Sequence, residues 1–444
     1  MFRASLSPLL RALALFSAVV TVPLATTACG DDGEDTPPPD AGVPDAGPEG
    51  SLDDYLPPIP EPTGEAQSVF AGQVDSADQL LDGPARSGIV GDYYIRNGKV
   101  SFIIQSPTRV IGVVPQGGNL IDAVALDDTG AAISGDHFGE LSMLYVLGRT
   151  CEHTSVEVIQ DGSGGGAAVI RAIGKTGNND FINLIGTGLV DLLQPPDELS
   201  PADPVTDDGV DCATTYILYP DSPMIEVKWT LFNGTDTDVR GPFGAFNDTG
   251  GEVEVFSPTV GFRRIGVNNI LESTEPAPVP YSVYQGPGVA YGVMPVHEDA
   301  MTPNSSFLVA GVSIILYGAD ELLDITKLEG LFLDLPAGTG QTQAINLSIG
   351  RDAADVESLY RQNLDESTQT LAGAVTWESG EPGAGVRVGI YADIDASGDI
   401  SEDDDIITYA DTTADGSFTA HVLPGNYLVR AEVQDLARST AVTV

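Results

Sequence analysis

The most chemically specific string in the sequence is the twelve-residue segment Asp393-Ile-Asp-Ala-Ser-Gly-Asp-Ile-Ser-Glu-Asp-Asp404. Read as a calcium-binding loop, it places Asp393, Asp395 and Ser397 at positions one, three and five. Asp399 at seven offers its carbonyl, Ser401 stands at nine and Asp404 at twelve. Gly398 falls at six, where the backbone must turn, and Ile400 takes the apolar place at eight. Asp404 is shorter than the bidentate Glu usual at twelve, and strands rather than helices flank the segment. A hard cation needs oxygen ligands and a turn, which an isolated loop can supply. The other reading is a solvated acidic hairpin loop in an acidic protein. Calcium is therefore the candidate cofactor, with both readings open.

Cys151 and Cys212 are a second candidate pair. In an oxidising compartment, two thiols in a strand-rich domain predict a disulfide ahead of a metal site or a nucleophile. Closing so large a loop stabilises by about 4 kcal/mol on the chain-entropy model. Cys212 follows the acidic, Pro-containing stretch Gln194–Asp211, so the bridge would pin one end of a loop with little else to hold it. The competing reading is two unpaired buried thiols.

Acid–base signals are thin. Only four histidines occur, His137, His153, His297 and His421. Asp136-His137-Phe-Gly-Glu140 and His297-Glu298-Asp299 each set an imidazole beside carboxylates, as a cleft acid–base site would need. Neither has a second histidine at metal-ligand spacing, and structural loops with such residues are far commoner. The glycine runs Gly162–Gly166 and Gly174-Lys-Thr-Gly177 match phosphate loops only superficially, and the first reads as a flexible hairpin.

Charge excludes whole classes of partner. The chain has 444 residues, 65 Asp or Glu against 19 Lys or Arg, and a formal charge of −46. Nucleic acid is excluded, since phosphate binding needs a basic footprint. Direct adhesion to anionic lipid headgroups is disfavoured for the same reason.

Arg3 and Arg11 precede the apolar run Ala12–Val22, then Pro23 and the small residues leading to Cys29. A basic start, a short apolar centre and a small-residue end predict an export signal over 1–28. The segment resembles a bacterial lipoprotein signal, which implies that Cys29 becomes the lipidated first residue and anchors the protein to a membrane. Cleavage without lipidation, leaving a secreted protein, is the alternative. A lone Cys directly before an acidic tether favours the lipid. No other segment is long and apolar enough to cross a membrane. Residues 30–64 hold nine Pro, ten Asp or Glu and no Lys or Arg. Such composition predicts a disordered tether over 29–64 that holds the body off the surface.

The elements that must position these groups are strands. In Ile225-Glu-Val-Lys-Trp-Thr-Leu231 the apolar residues share one face and Glu226, Lys228 and Thr230 the other. Lys99–Gln105, Thr154–Gln160, Ala167–Ile173, Phe307–Tyr317 and Gln343–Ile349 read similarly, between clusters of Gly, Asn and Asp. The fold class expected is all-β: a large β-supersandwich over 65–350, then a helix and linker over 351–369, then a small sandwich over 370–444. Asp352 can cap the helix, which carries Val356, Leu359 and Tyr360 on one face. In the small sandwich Asp415-Gly416 predicts a tight hairpin and Pro424-Gly425 a type II turn.

Leu371-Ala-Gly-Ala-Val375, Gly383-Ala-Gly-Val-Arg-Val388, Asp415-Gly-Ser-Phe418 and Leu423-Pro-Gly-Asn-Tyr427 together resemble the carboxypeptidase regulatory-like domain. The resemblance covers 370–444 and implies a seven-stranded, immunoglobulin-like or prealbumin-like sandwich, generally non-catalytic and found in secreted and surface proteins. Gly91–Val100, Gly117–Asp122 and Tyr219–Asn233 are similar to the accessory β-sandwich of large secreted bacterial metallohydrolases. The last of these is also similar to strands of galactose mutarotase-like supersandwiches. In the metallohydrolases a histidine-rich catalytic domain would follow, and with the sequence ending at Val444 that domain is expected to be missing.

The expectation is an exported, lipid-anchored cell-envelope protein of a Gram-negative bacterium. It would act as a non-catalytic binding or scaffolding module for a glycan or surface protein, stabilised by calcium. The alternative is a carbohydrate-active protein using a mutarotase-like cleft, which His137 or His297 beside a carboxylate would favour. A shortened metallohydrolase relative retaining only the accessory domains is a third possibility.

Overall fold

Alternation of apolar and polar residues builds an antiparallel body. The computed structural model describes residues 50–443 except 112–113, 115, 146–148, 179–208, 249–252, 264–279, 297–301, 310–311, 319–331, 402–403 and 434–435. The expected export signal over 1–28, Cys29, the first part of the tether and the His297 cluster therefore lie outside the described residues.

The first nine strands are β1 (Val69–Gln73), β2 (Tyr93–Asn97), β3 (Val100–Ile104), β4 (Leu120–Ala125), β5 (Glu140–Tyr145), β6 (Arg149–Gln160), β7 (Ala168–Asn178), β8 (Val210–Leu218) and β9 (Met224–Asn233). There follow β10 (Val239–Asp248), β11 (Glu254–Ser257), β12 (Gly261–Arg263), β13 (Ser282–Gly286), β14 (Val289–Pro295), β15 (Thr302–Val309), β16 (Val312–Gly318), β17 (Phe332–Leu335) and β18 (Gly340–Gly350). Hydrogen bonds join these strands in antiparallel ladders. One route runs β6-β7-β8-β9-β18-β14-β13-β11, another β1-β2-β3-β4-β5-β10-β16. Residues 307–317, expected as one strand, instead belong to two, β15 and β16, paired as a hairpin with Phe307 opposite Ile314. The period-two pattern runs on across 307–317 and hides the division into two strands.

The β9 pattern is realised as written. Ile225, Val227, Trp229 and Leu231 are buried in the main core, while Lys228 bonds Glu226 at 2.9 Å on the other face. Trp229 meets Phe243 edge-on at 6.0 Å between centroids. That geometry adds specificity to apolar burial.

The helix α1 (Ala353–Asn363) follows β18. The Asp352 carboxylate accepts from the Asp355 amide at 3.0 Å, satisfying an amide with no partner inside the helix. The small sandwich is a two-stranded sheet, β19 (Gln369–Ala374) with β22 (Ser417–Val422), over a four-stranded one. The latter holds β20 (Arg387–Ala392), β21 (Asp405–Asp411), β23 (Asn426–Val433) and β24 (Leu436–Thr443). Gly416 has φ +82°, as a tight hairpin needs, but Gly425 is not among the glycines with positive φ, so the 424–425 turn is not type II.

The small sandwich shares a core with the large one. Phe256, Tyr281, Val283 and Met294 of the large body pack with Val356 and Tyr360 of α1 and with Tyr391, Ile406, Tyr409 and Leu428. Polar bonds cross the same seam. Gln285 bonds the Ala353 amide and the Asp411 carboxylate, Tyr281 donates to buried Glu357 at 2.6 Å, and Arg387 pairs with Glu254 at 2.8 Å while stacking on Phe262.

The expected tether is corrected over 50–64, which is folded onto the large body as a strap. Leu52, Tyr55 and Leu56 seat against Ala213, Phe232 and Ile173, and Ile59 against Val169 and Ile217. Thr342 donates to the Tyr55 carbonyl at 2.9 Å, and buried Arg171 donates to the Pro57 carbonyl at 3.0 Å. Four apolar side chains and paired carbonyls supply what composition alone said was lacking. The glycine run 162–166 is no free hairpin either. Gly165 has φ +73°, and a Cβ there would come within 2.7 Å of Thr63 and Glu65, so the strap passes through a space only glycine leaves. Among the described residues, no helix is long and apolar enough to cross a membrane.

Candidate functional site

Loop 393–404 spans β20 to β21, so strands flank it. Asp393, Asp395 and Asp404 each bring a carboxylate oxygen within 4.8 Å of the others. Calcium–oxygen bonds of about 2.4 Å place opposite ligands about 4.8 Å apart, so all three can reach one ion. The Asp393 Oδ1 is shielded from solvent and has no hydrogen-bond partner. An anionic oxygen without a donor suits a cation better than it suits solvent-free protein. Gly398 turns at φ +76°. Ser401 joins the cluster, its Oγ 3.2 Å from Asp404 and 3.5 Å from Asp395. Ser397 is turned differently. Its Oγ donates to the Asp399 carbonyl at 2.8 Å, so these two expected ligands satisfy each other. Asp393, Asp395 and Asp404 are the residues that could hold a cation, and their oxygen donors are of the type a hard ion takes.

Cys151 and Cys212 form a disulfide, with Cα atoms 5.9 Å apart. Cys151 lies on β6 opposite Thr176 and Cys212 on β8 opposite Gly174, so the bridge joins the two strands that pair with β7. Both sulfurs are buried in the main core.

Among the described residues, His137, His153 and His421 do not converge, the last lying beside Thr370. His153 is buried, and that burial pushes its pKa down to about 4. The neutral ring's Nδ1 donates to the Gly117 carbonyl at 2.7 Å and its Nε2 accepts from Thr214 at 3.0 Å. His137 rests against Gly286, and its backbone amide donates to the Tyr291 hydroxyl at 2.9 Å. The neighbouring carboxyls turn elsewhere. Glu140 accepts from the Val114 amide and from Asn119, both at 3.0 Å. Asp136 Oδ1 accepts from the Ala123 and Phe138 amides, at 2.9 and 3.1 Å.

Sequence reasoning missed what Asp136 does. It is fully buried, its Oδ2 has no partner, and burial, with the Asp122 charge second, pushes its pKa up to about 8. Its backbone amide and carbonyl bond Asp82 and Ala85. Asp122 accepts from the Ser87 and Gly88 amides, and Asp92 from Ile89 and from Arg109. The carboxylates of Asp122 and Asp92, with the backbone of Asp136, thus pin the loop 82–92. Their wide sequence separation gave no motif.

The fold and loop define an antiparallel double-sandwich protein with a candidate cation site. No family model matches the sequence, and no curated protein matches it. Similar solved structures include a TPR-domain-containing protein from Parabacteroides distasonis, at 10% identity and TM-score 0.35, covering 66% of this chain and 56% of that one. A galactose mutarotase related enzyme from Lactobacillus acidophilus is similar at 10% identity and TM-score 0.31, covering 58% of this chain and 97% of that one. An alpha-mannosidase from Enterococcus faecalis shows 10% identity and TM-score 0.35, with 61% and 30% covered. The chain thus spans little more than half of the first and under a third of the last. Such distant likenesses assign neither activity nor ligand.

Proposed function

We propose that the chain is an exported module held at a bacterial cell envelope by a lipid on Cys29, where it binds a surface glycan or protein. Loop 393–404 takes calcium, which neutralises packed carboxylates and stiffens that edge of the small sandwich. The observation that carries the reading is the core-buried Cys151–Cys212 bridge, because such bonds persist in oxidising compartments outside the cytosol. The use of Asp136 and Glu140 to hold backbone amides supports a binding rather than an acid–base role for the loop around His137.

Two measurements test this. Cys29→Ser should move the protein from the membrane fraction to the soluble exported fraction; retention in the membrane would defeat lipidation at Cys29. Calcium added to the full chain should raise its Tm, and Asp395→Ala should remove the rise. The full chain is needed because the small sandwich shares its core with the large body. No shift in the wild-type protein would defeat the calcium reading.

A further inference from the structure

β1 pairs with β2 so that Phe70 stands opposite Arg96 and Gly72 opposite Tyr94. Since strand side chains alternate, Phe70, Arg96 and Tyr94 share one face. The Arg96 guanidinium carbon lies 5.8 Å from the Phe70 ring centre and 5.7 Å from that of Tyr94. The Tyr94 ring lies down over Gly72, where a Cβ would come within 2.9 Å of its hydroxyl. Phe70 is 37% exposed and Arg96 is exposed.

Charge makes Arg96 unusual. The exposed basic residues among those described are Arg86, Arg96, Lys99, Lys175 and Arg351. Arg86 pairs with Asp82, Lys99 with Asp128, Lys175 with Asp211 and Arg351 with Asp355. Arg96 has no carboxylate partner among the described residues, in a chain with 65 acids to 19 bases. Two aromatic rings flank it instead, and they leave its planar fork of N–H donors open to a bidentate acceptor.

We infer that Phe70, Tyr94 and Arg96 form a shelf for a carboxylated sugar unit, a uronate. The aromatic rings stack on the C–H face of the sugar and the guanidinium takes its carboxylate. This rests on the reading of the chain as a surface binding module and names its ligand class. The anionic partner follows from the uncompensated cation. At physiological salt, charges beyond about 8 Å are largely screened, so the chain's distant acids do not govern this pair.

The test is calorimetric titration of the protein with oligogalacturonate and with a neutral glucan oligomer of equal length. Oligogalacturonate should bind and the glucan bind much more weakly. Arg96→Gln should weaken oligogalacturonate binding by roughly tenfold or more, since the contact is a charge-assisted pair. Arg96→Lys should fall between, keeping the charge without the fork. Phe70→Ala should weaken it as well. Arg96 is exposed, so Tm should hold in Arg96→Gln and Arg96→Lys. Absent oligogalacturonate binding, equal glucan binding, or affinity indifferent to Arg96→Gln would each overturn the shelf. None of these would touch the reading of the chain as lipid-anchored at the envelope, which Cys29→Ser tests separately.

Discussion

Replacing Asp136 by Asn should stabilise the protein at neutral pH. The wild-type carboxyl sits fully buried near Asp122, with its pKa pushed up to about 8 by burial first and the neighbouring charge second. The folded state therefore binds this proton more tightly than the unfolded chain, whose carboxyl titrates near 3.9. Stability from the bound proton is fully present below about pH 4. It is lost as pH rises from there to about 8, by about 1.4 kcal/mol per pH unit. At pH 7 the loss has a ceiling of about 4 kcal/mol. Asn keeps an oxygen for the Ala123 and Phe138 amides and has no proton to lose. Its amide group adds an unpaired buried hydrogen costing about 1–2 kcal/mol, so a net gain of about 2 kcal/mol is expected at pH 7. Urea unfolding at pH 4.5, 7 and 8.5 measures it. The variant should be equal or weaker at the lowest pH and stronger at the other two. A difference that stays constant across pH, or a variant weaker at pH 8.5, would refute the assignment of a buried, proton-holding acid.

The remaining predictions concern the scaffold. The double variant Cys151→Ser/Cys212→Ser, which opens a bridge between residues 61 apart, should lose about 4 kcal/mol in denaturant unfolding; a loss under about 1 kcal/mol would show that the bridge constrains little. Gly165→Val, at φ +73° beneath Thr63 and Glu65, should leave residues 50–66 open to limited proteolysis while the rest resists, and unchanged cleavage would contradict the strap's passage over that glycine. Tyr281→Phe removes a donor from buried Glu357 and should cost about 1–3 kcal/mol. Its thermal unfolding should stay a single transition at lower Tm, because the seam is a shared core; two separated transitions would show that the sandwiches unfold independently.

Much of the fold was legible because burial on one face of a strand writes itself as period two. The cap at Asp352 was legible because an amide in a helix's first turn needs an acceptor within three residues. What depends on distant pairing was not. The strap's Leu52, Tyr55, Leu56 and Ile59 fall irregularly among prolines, and Arg171, which takes the Pro57 carbonyl, lies 114 residues away. The Asp393, Asp395 and Asp404 convergence followed from loop spacing, but that Ser397 and Asp399 satisfy each other depends on a backbone path that spacing does not fix. Likewise, sequence set Asp136 and Glu140 beside His137, while the strands turned both carboxyls away from it.

The strap has a mechanical consequence. It touches β18, β9, β8 and β7 before passing the glycine run, so it lies across several strands rather than at the end of one. Tension on the chain ahead of Gly50 would load those contacts together, in shear, instead of peeling a terminal strand bond by bond.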